Sequence, residues 1–387
     1  MAIYYTVKFF IIRVITTLIP HRHSRKKTRN FLQELSIKSI IAYFKERHIQ
    51  PRPNSVLIFE PNQSHGECIP GYIKYFLDIG LNIDVLLNEK IWQEQPFCRI
   101  NNDSVAFYKS SVPMMTCWLR SKNLEQYRLI LVATSAPYWY QRTNQSTLDW
   151  FSLGGRKNLA VVEHDLADVE NFRETDLINR GRLLTLGNFK TGKMVNPHYF
   201  GDIKVSPKNT LTRFIVVGSI SNSRKGHSLL VPAVEKLLAN GISNFEITVV
   251  GRGRIRDLPK RVRSFINPRG RLKFPDVYNE MERADFYLPL LDPDNKTHER
   301  YITRGISGSV QLIYGFKKPC IIHEKFAGIY GFTNDNSMIY DRDLHVMMER
   351  AIKMTEKEYE NMVMELNKLV SRKYDDSLQT IKQLLLP

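Results

Sequence analysis

The chain has 387 residues, with 56 lysines and arginines against 39 acids for a net charge of +17, and is 43% hydrophobic and 25% charged. That length suits two domains better than one core, and the composition excludes a disordered, fibrous or collagen-like chain. Cys68, Cys98, Cys117 and Cys320 are scattered without CxxC spacing, which argues against a zinc or disulfide framework and for reduced thiols.

The charge excess favours polyanionic partners: nucleic acid, an anionic membrane surface or phosphorylated substrates. Residues 1–29 contribute Lys8, Arg13, Arg22, Arg25, Lys26, Lys27 and Arg29 and no acid. The opening MAIYYTVKFFIIRVITTLIP would place Arg13 deep in hydrocarbon if it spanned a bilayer, and a signal peptide would carry its charges before the apolar core. These residues read instead as a basic amphipathic segment lying on an anionic membrane surface, with Tyr4, Tyr5, Phe9, Phe10, Ile12 and Ile15 inward. The alternative is a helix packed on the protein's own body. The expectation is a cytoplasmic protein held peripherally on the inner face of the cell membrane.

Residues 30–205 form the first domain in this reading. FLQELSIKSIIAYFKE has helical spacing and PRP closes it. SVLIFE (55–60) is a continuous apolar strand, NQSHGECIPG a loop, YIKYFLDIG a helix ending on Gly80, and NIDVLLN (82–88) a second strand. LILVATS (129–135) and NLAVVEHD (158–165) extend the parallel sheet. The stretch GDIKVSPKNT, near residues 200–211, reads as a linker. The second domain, 206–342, repeats the alternation: TRFIVVGS (212–219), helix HSLLVPAVEKLLANG (227–241), FEITVVG (245–251), ADFYLPLL (284–291), helix SVQLIYGF (309–316) and strand KPCIIH (318–323). Residues 343–387 read as helices packing back across the domains.

Open α/β sheets bind ligands beyond the carboxyl ends of their strands, so the loops directly after strands carry the argument. In VGSISNSRKGH the small residues Gly218, Ser219 and Ser221 let a ligand approach. Arg224 and Lys225 set two cations at the start of the next helix, which suits a diphosphate; the alternative is a solvated Arg-Lys pair. Gly251 and Gly253 in VVGRGR permit a tight turn beside the same ligand. Ser307, Gly308 and Ser309 precede a helix and offer amides and hydroxyls to phosphate, or a plain serine cap. In the first domain the loop after SVLIFE holds His65, Gly66 and Glu67, a base beside an acceptor, and NLAVVEHD ends in Glu163, His164 and Asp165.

The order VGSISNSRKGHSLLVPAVEKL, VVGRG, RLKFPDVYNEMERADFYLPLL, over about residues 212–340, resembles the C-terminal half of family-4-type GT-B glycosyltransferases of bacterial surface polysaccharide or lipopolysaccharide assembly. The resemblance implies an α/β fold of two facing Rossmann-like domains with an interdomain cleft, and transfer of a sugar from a nucleotide-diphosphate donor to a glycan, lipid-linked or lipopolysaccharide-type acceptor. It implies that Lys225 and a neighbouring arginine hold the diphosphate, that Gly251 lies near the nucleotide, that Phe274 to Tyr278 cover the base, and that a histidine after a strand, here His164, contacts the donor sugar. The usual Gly-Arg turn is replaced by Gly218-Ser219, and the ribose-gripping glutamate is missing from QLIYGFK.

In such a retaining transfer the donor phosphate accepts the proton and the enzyme stabilises the departing diphosphate, a task for Arg224, Lys225 and the Ser307–Ser309 amides. Neither metal nor cofactor is expected; Asp292-Pro293-Asp294, which follows a strand, is the nearest approach to a motif for a nucleotide-bound divalent ion and stands as the lesser alternative. The run from Arg252 to Lys273 offers a basic face for headgroups or an anionic acceptor, or simply for solvent. A phosphopolyol transferase on the same fold, a non-catalytic GT-B module and a nucleic-acid-binding protein are the competing readings. The last lacks a helix-turn-helix, zinc or RNP signature, so no nucleic acid is expected as partner.

Overall fold

The computed structural model describes residues 50–110, 122–135, 156–167, 176–187, 192–219, 227–253 and 258–386, together with Thr17. The basic segment 1–29, Cys117, Arg224 and Lys225 lie outside the described residues, Thr17 apart.

The first half is built on strands β1 (Ser55–Glu60), β2 (Asn82–Asn88), β3 (Val105–Ser110), β4 (Leu129–Val132), β5 (Leu159–Glu163), β6 (Leu183–Thr185) and β7 (Lys193–Met194). All pair in parallel, in the order β3-β2-β1-β4-β5-β6-β7. Parallel neighbours need a crossover, supplied between β1 and β2 by helix α1 (Ile69–Asp78). β1 explains its own apolar run. Val56 and Ile58 point into a core beneath α1, while Leu57 and Phe59 enter a second core on the other face, so no position faces water. Helix α2 (Glu89–Glu94) follows β2, capped by Asn88, whose side chain accepts from Lys90 N.

Residues 195–211 carry neither helix nor strand and lead into β8 (Thr212–Val217). Gly71 on α1 and Gly315 farther along the chain both press on this connection. A Cβ on Gly71 would meet the Pro197 backbone at 2.5 Å, and one on Gly315 would meet the Phe200 ring at 2.2 Å. Only glycine admits so close an approach.

The second half contains helix α3 (His227–Ala239), β9 (Phe245–Val250), β10 (Ile266–Gly270), α4 (Phe274–Arg283), β11 (Phe286–Tyr287), α5 (Gly308–Phe316), β12 (Ile321–His323), α6 (Glu324–Tyr330), β13 (Met338–Tyr340) and α7 (Leu344–Lys353). A four-stranded parallel sheet runs β10-β9-β8-β11, and the parallel bridge between Tyr287 and Cys320 attaches the β12-β13 pair. The combined order is thus β10-β9-β8-β11-β12-β13. Numbered within each half, both sheets follow the doubly wound order 3-2-1-4-5-6, the first with one strand more. Of the apolar run 284–291, only Phe286 and Tyr287 pair as strand; the chain then turns, with Leu290 at φ 50°.

Helix α8 (Glu356–Leu384) opens with a capping box between Thr355 and Glu358. Its side chains enter three cores in succession. Tyr359, Met362 and Val363 join the core beside α3; Leu366, Leu369 and Val370 join that around α5; Ile381 and Leu384 reach the core of the first half. Among the described residues no helix is long and apolar enough to cross a membrane.

Candidate active site between two strand-end clusters

In each half the strand order reverses beside the first strand, and ligands bind at such reversals. In the first half this point lies between β1 and β4. β1 ends on Glu60, fully buried, whose carboxylate accepts from Asn62 N at 2.7 Å and from Thr134 Oγ1 at 2.6 Å. Burial raises its pKa well above the usual carboxylate range, against the lowering pull of those two bonds. Glu60 thereby clamps the loop after β1 to that after β4. Glu163, at the end of β5, does the same one strand along: it accepts from Ser135 Oγ, and from His164 N and Asp165 N at 2.7 and 2.9 Å.

These clamps aim the candidate side chains. The His65 and His164 rings lie 4.5 Å apart, and His65 Nδ1 is 3.4 Å from Glu67 Oε1. His65 adopts a left-handed backbone, φ 69°, to start the one-turn helix Gly66–Cys68. His164 Nε2 donates to Ala133 O at 3.1 Å and lies 3.3 Å from Thr134 Oγ1. Since a carbonyl only accepts, Nε2 carries the proton and Nδ1 is the acceptor. Burial, reinforced by the nearby His65, lowers the His164 pKa to about 3, so the ring is neutral at physiological pH.

The second half presents its own reversal between β8 and β11. Tyr287, on β11, donates its hydroxyl to Val217 O at 3.1 Å, locking the ends of these strands together. Gly218 and Gly251, which follow β8 and β9, touch: a Cβ on Gly251 would lie 1.6 Å from Gly218 O. Ser219 is half-buried directly after. Ser307 is the N-cap of α5 but makes no capping bond; its hydroxyl lies 2.6 Å from that of Ser309, and both residues are buried. Gly308 between them is half-buried.

The two clusters meet. A Cβ on Gly308 would stand 3.0 Å from Glu67 Oε1, so the carboxylate of the first half rests against the start of α5, where free amides and the helix dipole favour negative charge. Nearby, Leu166 N donates to Arg304 O at 2.8 Å, and the Asp165 carboxylate lies 3.6 Å from Arg300 and 3.5 Å from Arg304. His65, Glu67, His164 and the Ser307–Ser309 turn thus form one constellation, while Ser219 and Gly251 line the adjoining strand ends. Tyr278 stands apart: it is fully buried on α4, and its hydroxyl donates to Pro96 O at 2.8 Å, joining the halves. Arg99 reinforces that junction, 5.4 Å over the Tyr278 ring and 2.6 Å from Glu282.

Sequence reading missed Glu60, Thr134 and the partners of Asp165. Acidic strand ends such as Glu60 and Glu163 were the available signal, since a charge closing an apolar run needs buried partners. Asp292 Oδ1 accepts from Asp294 N at 2.9 Å within its own loop, and among the described residues no three His, Cys, Asp or Glu side chains converge as for a metal.

No protein-family model matches the sequence, and no curated protein is significantly similar to it. Solved structures are similar in fold. One is Anabaena HepE in complex with UDP, at 14% identity and TM-score 0.52, covering 85% of this chain and 99% of that one. Another is an α-glucosyltransferase in complex with UDP and a 13-mer DNA containing an HMU base, at 11% identity and TM-score 0.50, covering 85% of this chain and 95% of that one. With both reversals, and the loops beyond them, turned toward a shared interdomain site, the chain has the GT-B fold.

Proposed function

We propose that the chain is a glycosyltransferase that moves a sugar from a nucleoside-diphosphate donor, held by the second half, to a glycan or lipid-linked acceptor of the lipopolysaccharide type entering over the first. The observation that carries this reading is the approach of Glu67, with His65 beside it and His164 behind, to the start of α5: polar side chains of one half meet a helix terminus of the other that favours negative charge. The two fold relatives solved with UDP support a nucleotide donor.

In this reading Arg224, Lys225 and the amides at Ser307–Ser309 take the diphosphate, with Ser219 and Gly251 bordering the nucleotide and Tyr278 supporting the helix beneath the base. Charge develops on the departing diphosphate, and fixed cations and amides there lower the barrier without reorganising. His164, neutral and anchored through Nε2, offers Nδ1 as acceptor to a sugar hydroxyl, so it orients the donor rather than carrying a proton. The donor phosphate takes the acceptor proton, giving retention without a metal. His65 and Glu67 orient the acceptor. The basic segment 1–29 keeps the enzyme on the inner, anionic face of the cell membrane, near lipid-linked acceptors.

A thermal-shift screen against UDP-, GDP-, dTDP-, ADP- and CMP-linked sugars tests the reading. Selective stabilisation by one nucleoside-diphosphate sugar is expected; no shift with any of them would refute it.

A further inference from the structure

The candidate site makes no use of the densest cationic run among the described residues. Between Leu258 and Lys273 the chain carries Lys260, Arg261, Arg263, Arg269, Arg271 and Lys273 and no acid. The fold groups Lys260, Arg261, Arg263 and Arg269 around one margin, the edge of the second sheet, whereas Arg271 pairs with Glu94 of the first half. In the one-turn helix Lys260–Arg263, Val262 is buried in the core beside α3, which leaves Lys260, Arg261 and Arg263 exposed. β10 then forms the edge of its sheet, with Asn267, Pro268 and Arg269 exposed. Proline and a charge on an edge strand are accounted for by protection against edge-to-edge pairing. The three cations before the strand are not.

Among the described residues Lys260, Arg261, Arg263 and Lys273 have no carboxylate partner within ion-pair distance, although the same margin pairs others. Arg269 and Arg283 share one oxygen, Glu280 Oε1, at 3.4 and 3.9 Å, and Arg213 holds Glu246 at 2.7 Å. These side chains line a pocket of about 200 Å³ on the face of the sheet away from the Lys260–Arg263 turn, three guanidiniums against two carboxylates, so their charge is largely compensated. Clustered like charges repel, and an opposed anionic surface relieves that repulsion.

We propose that this margin, the Lys260–Arg263 turn with the exposed edge of β10, docks on anionic phospholipid headgroups as an attachment separate from residues 1–29. Lipid is favoured over single-stranded nucleic acid because the margin's aromatics, Phe265 and Phe274, pack against cores instead of presenting faces for bases to stack on. It also complements the N-terminal segment, seven cations and no acid, since stable membrane attachment takes two weak signals. The inference deepens the membrane reading above and is independent of sugar transfer.

The test is sedimentation of the full chain, and of its K260Q/R261Q/R263Q variant, with vesicles of phosphatidylcholine alone and of phosphatidylcholine mixed with phosphatidylglycerol. Each cation removed should lower partition onto the anionic vesicles about fivefold, so the triple variant should lose roughly a hundredfold while its thermal unfolding stays unchanged. Wild-type binding by the folded triple variant overturns the proposal. So does a variant that still binds vesicles but has lost a single-stranded oligonucleotide bound by the wild type, which would assign the margin to nucleic acid. Deleting residues 1–29 tests the other attachment separately: binding should survive in part and then yield to the triple change, and complete loss on deletion alone counts against docking by this margin.

Discussion

Gly251→Ala is the sharpest test of the strand-end geometry. The added methyl would lie 1.6 Å from Gly218 O, where real contacts essentially never fall below 3.0 Å, so the two turns must separate by at least the difference, 1.4 Å. Two backbone bonds hold them, Gly218 N to Val250 O at 2.9 Å and Gly251 N to Gly270 O at 2.8 Å, and both should be disrupted. Two such bonds contribute about 1 kcal/mol each and overpacking costs about 1–3 kcal/mol, for a loss of roughly 3–5 kcal/mol. For a unit of this size the melting temperature should fall roughly 10 °C. Displaced turns should also weaken nucleotide binding at least about tenfold, or 1.4 kcal/mol. Calorimetric melting and titration with a UDP-sugar measure both. Gly328→Ala is the control, because that glycine sits in α6 with nothing within 4 Å of its Cβ. If Gly251→Ala melts and binds like Gly328→Ala, the strand-end turns do not touch as described.

Replacing Arg224 and Lys225 together with alanine should abolish donor turnover without lowering the melting temperature; near-normal turnover refutes the diphosphate assignment. His164→Ala should lower kcat more than it raises KM, and the opposite split would make it a ground-state binding residue. Burial holds His164 at about 3 and His198 at about 4, against about 6.5 in the unfolded chain. The unfolded chain therefore binds more protons below about pH 6.5, so stability falls between there and the folded values, by up to roughly 5 kcal/mol for His164 and roughly 3 kcal/mol for His198. A denaturant midpoint unchanged from about pH 7 to about pH 4 would contradict this.

Much of the scaffold was legible because parallel strands buried on both faces read as unbroken apolar runs. Ser55–Glu60 and Asn82–Asn88 fall where the sequence placed them, and the helix expected from 309 begins at Gly308. β6 and β7, three and two residues long, are too short for any periodicity. β10 reads INPRG, with one buried residue, and pairs only because β9 lies beside it. Strand order is a matter of long-range pairing that local pattern does not encode. The candidate site divides likewise. His65, Glu67 and His164 stood out because they follow strands, but the contact of Glu67 with Gly308 spans most of the chain, the Tyr278 hydroxyl bonds Pro96 O 182 residues away, and local pattern encodes neither.

Helix α8 has a consequence for synthesis and for motion. At about 1.5 Å per residue its 29 residues reach about 44 Å, and they complete a core in each half. The first half, although made earlier, lacks two side chains of its core until Ile381 and Leu384 have left the ribosome. The same rod is bonded to the connection, where Asn196 N donates to Ser377 Oγ at 2.9 Å, so any change in the angle between the halves must displace either this helix or the side chains it buries in them.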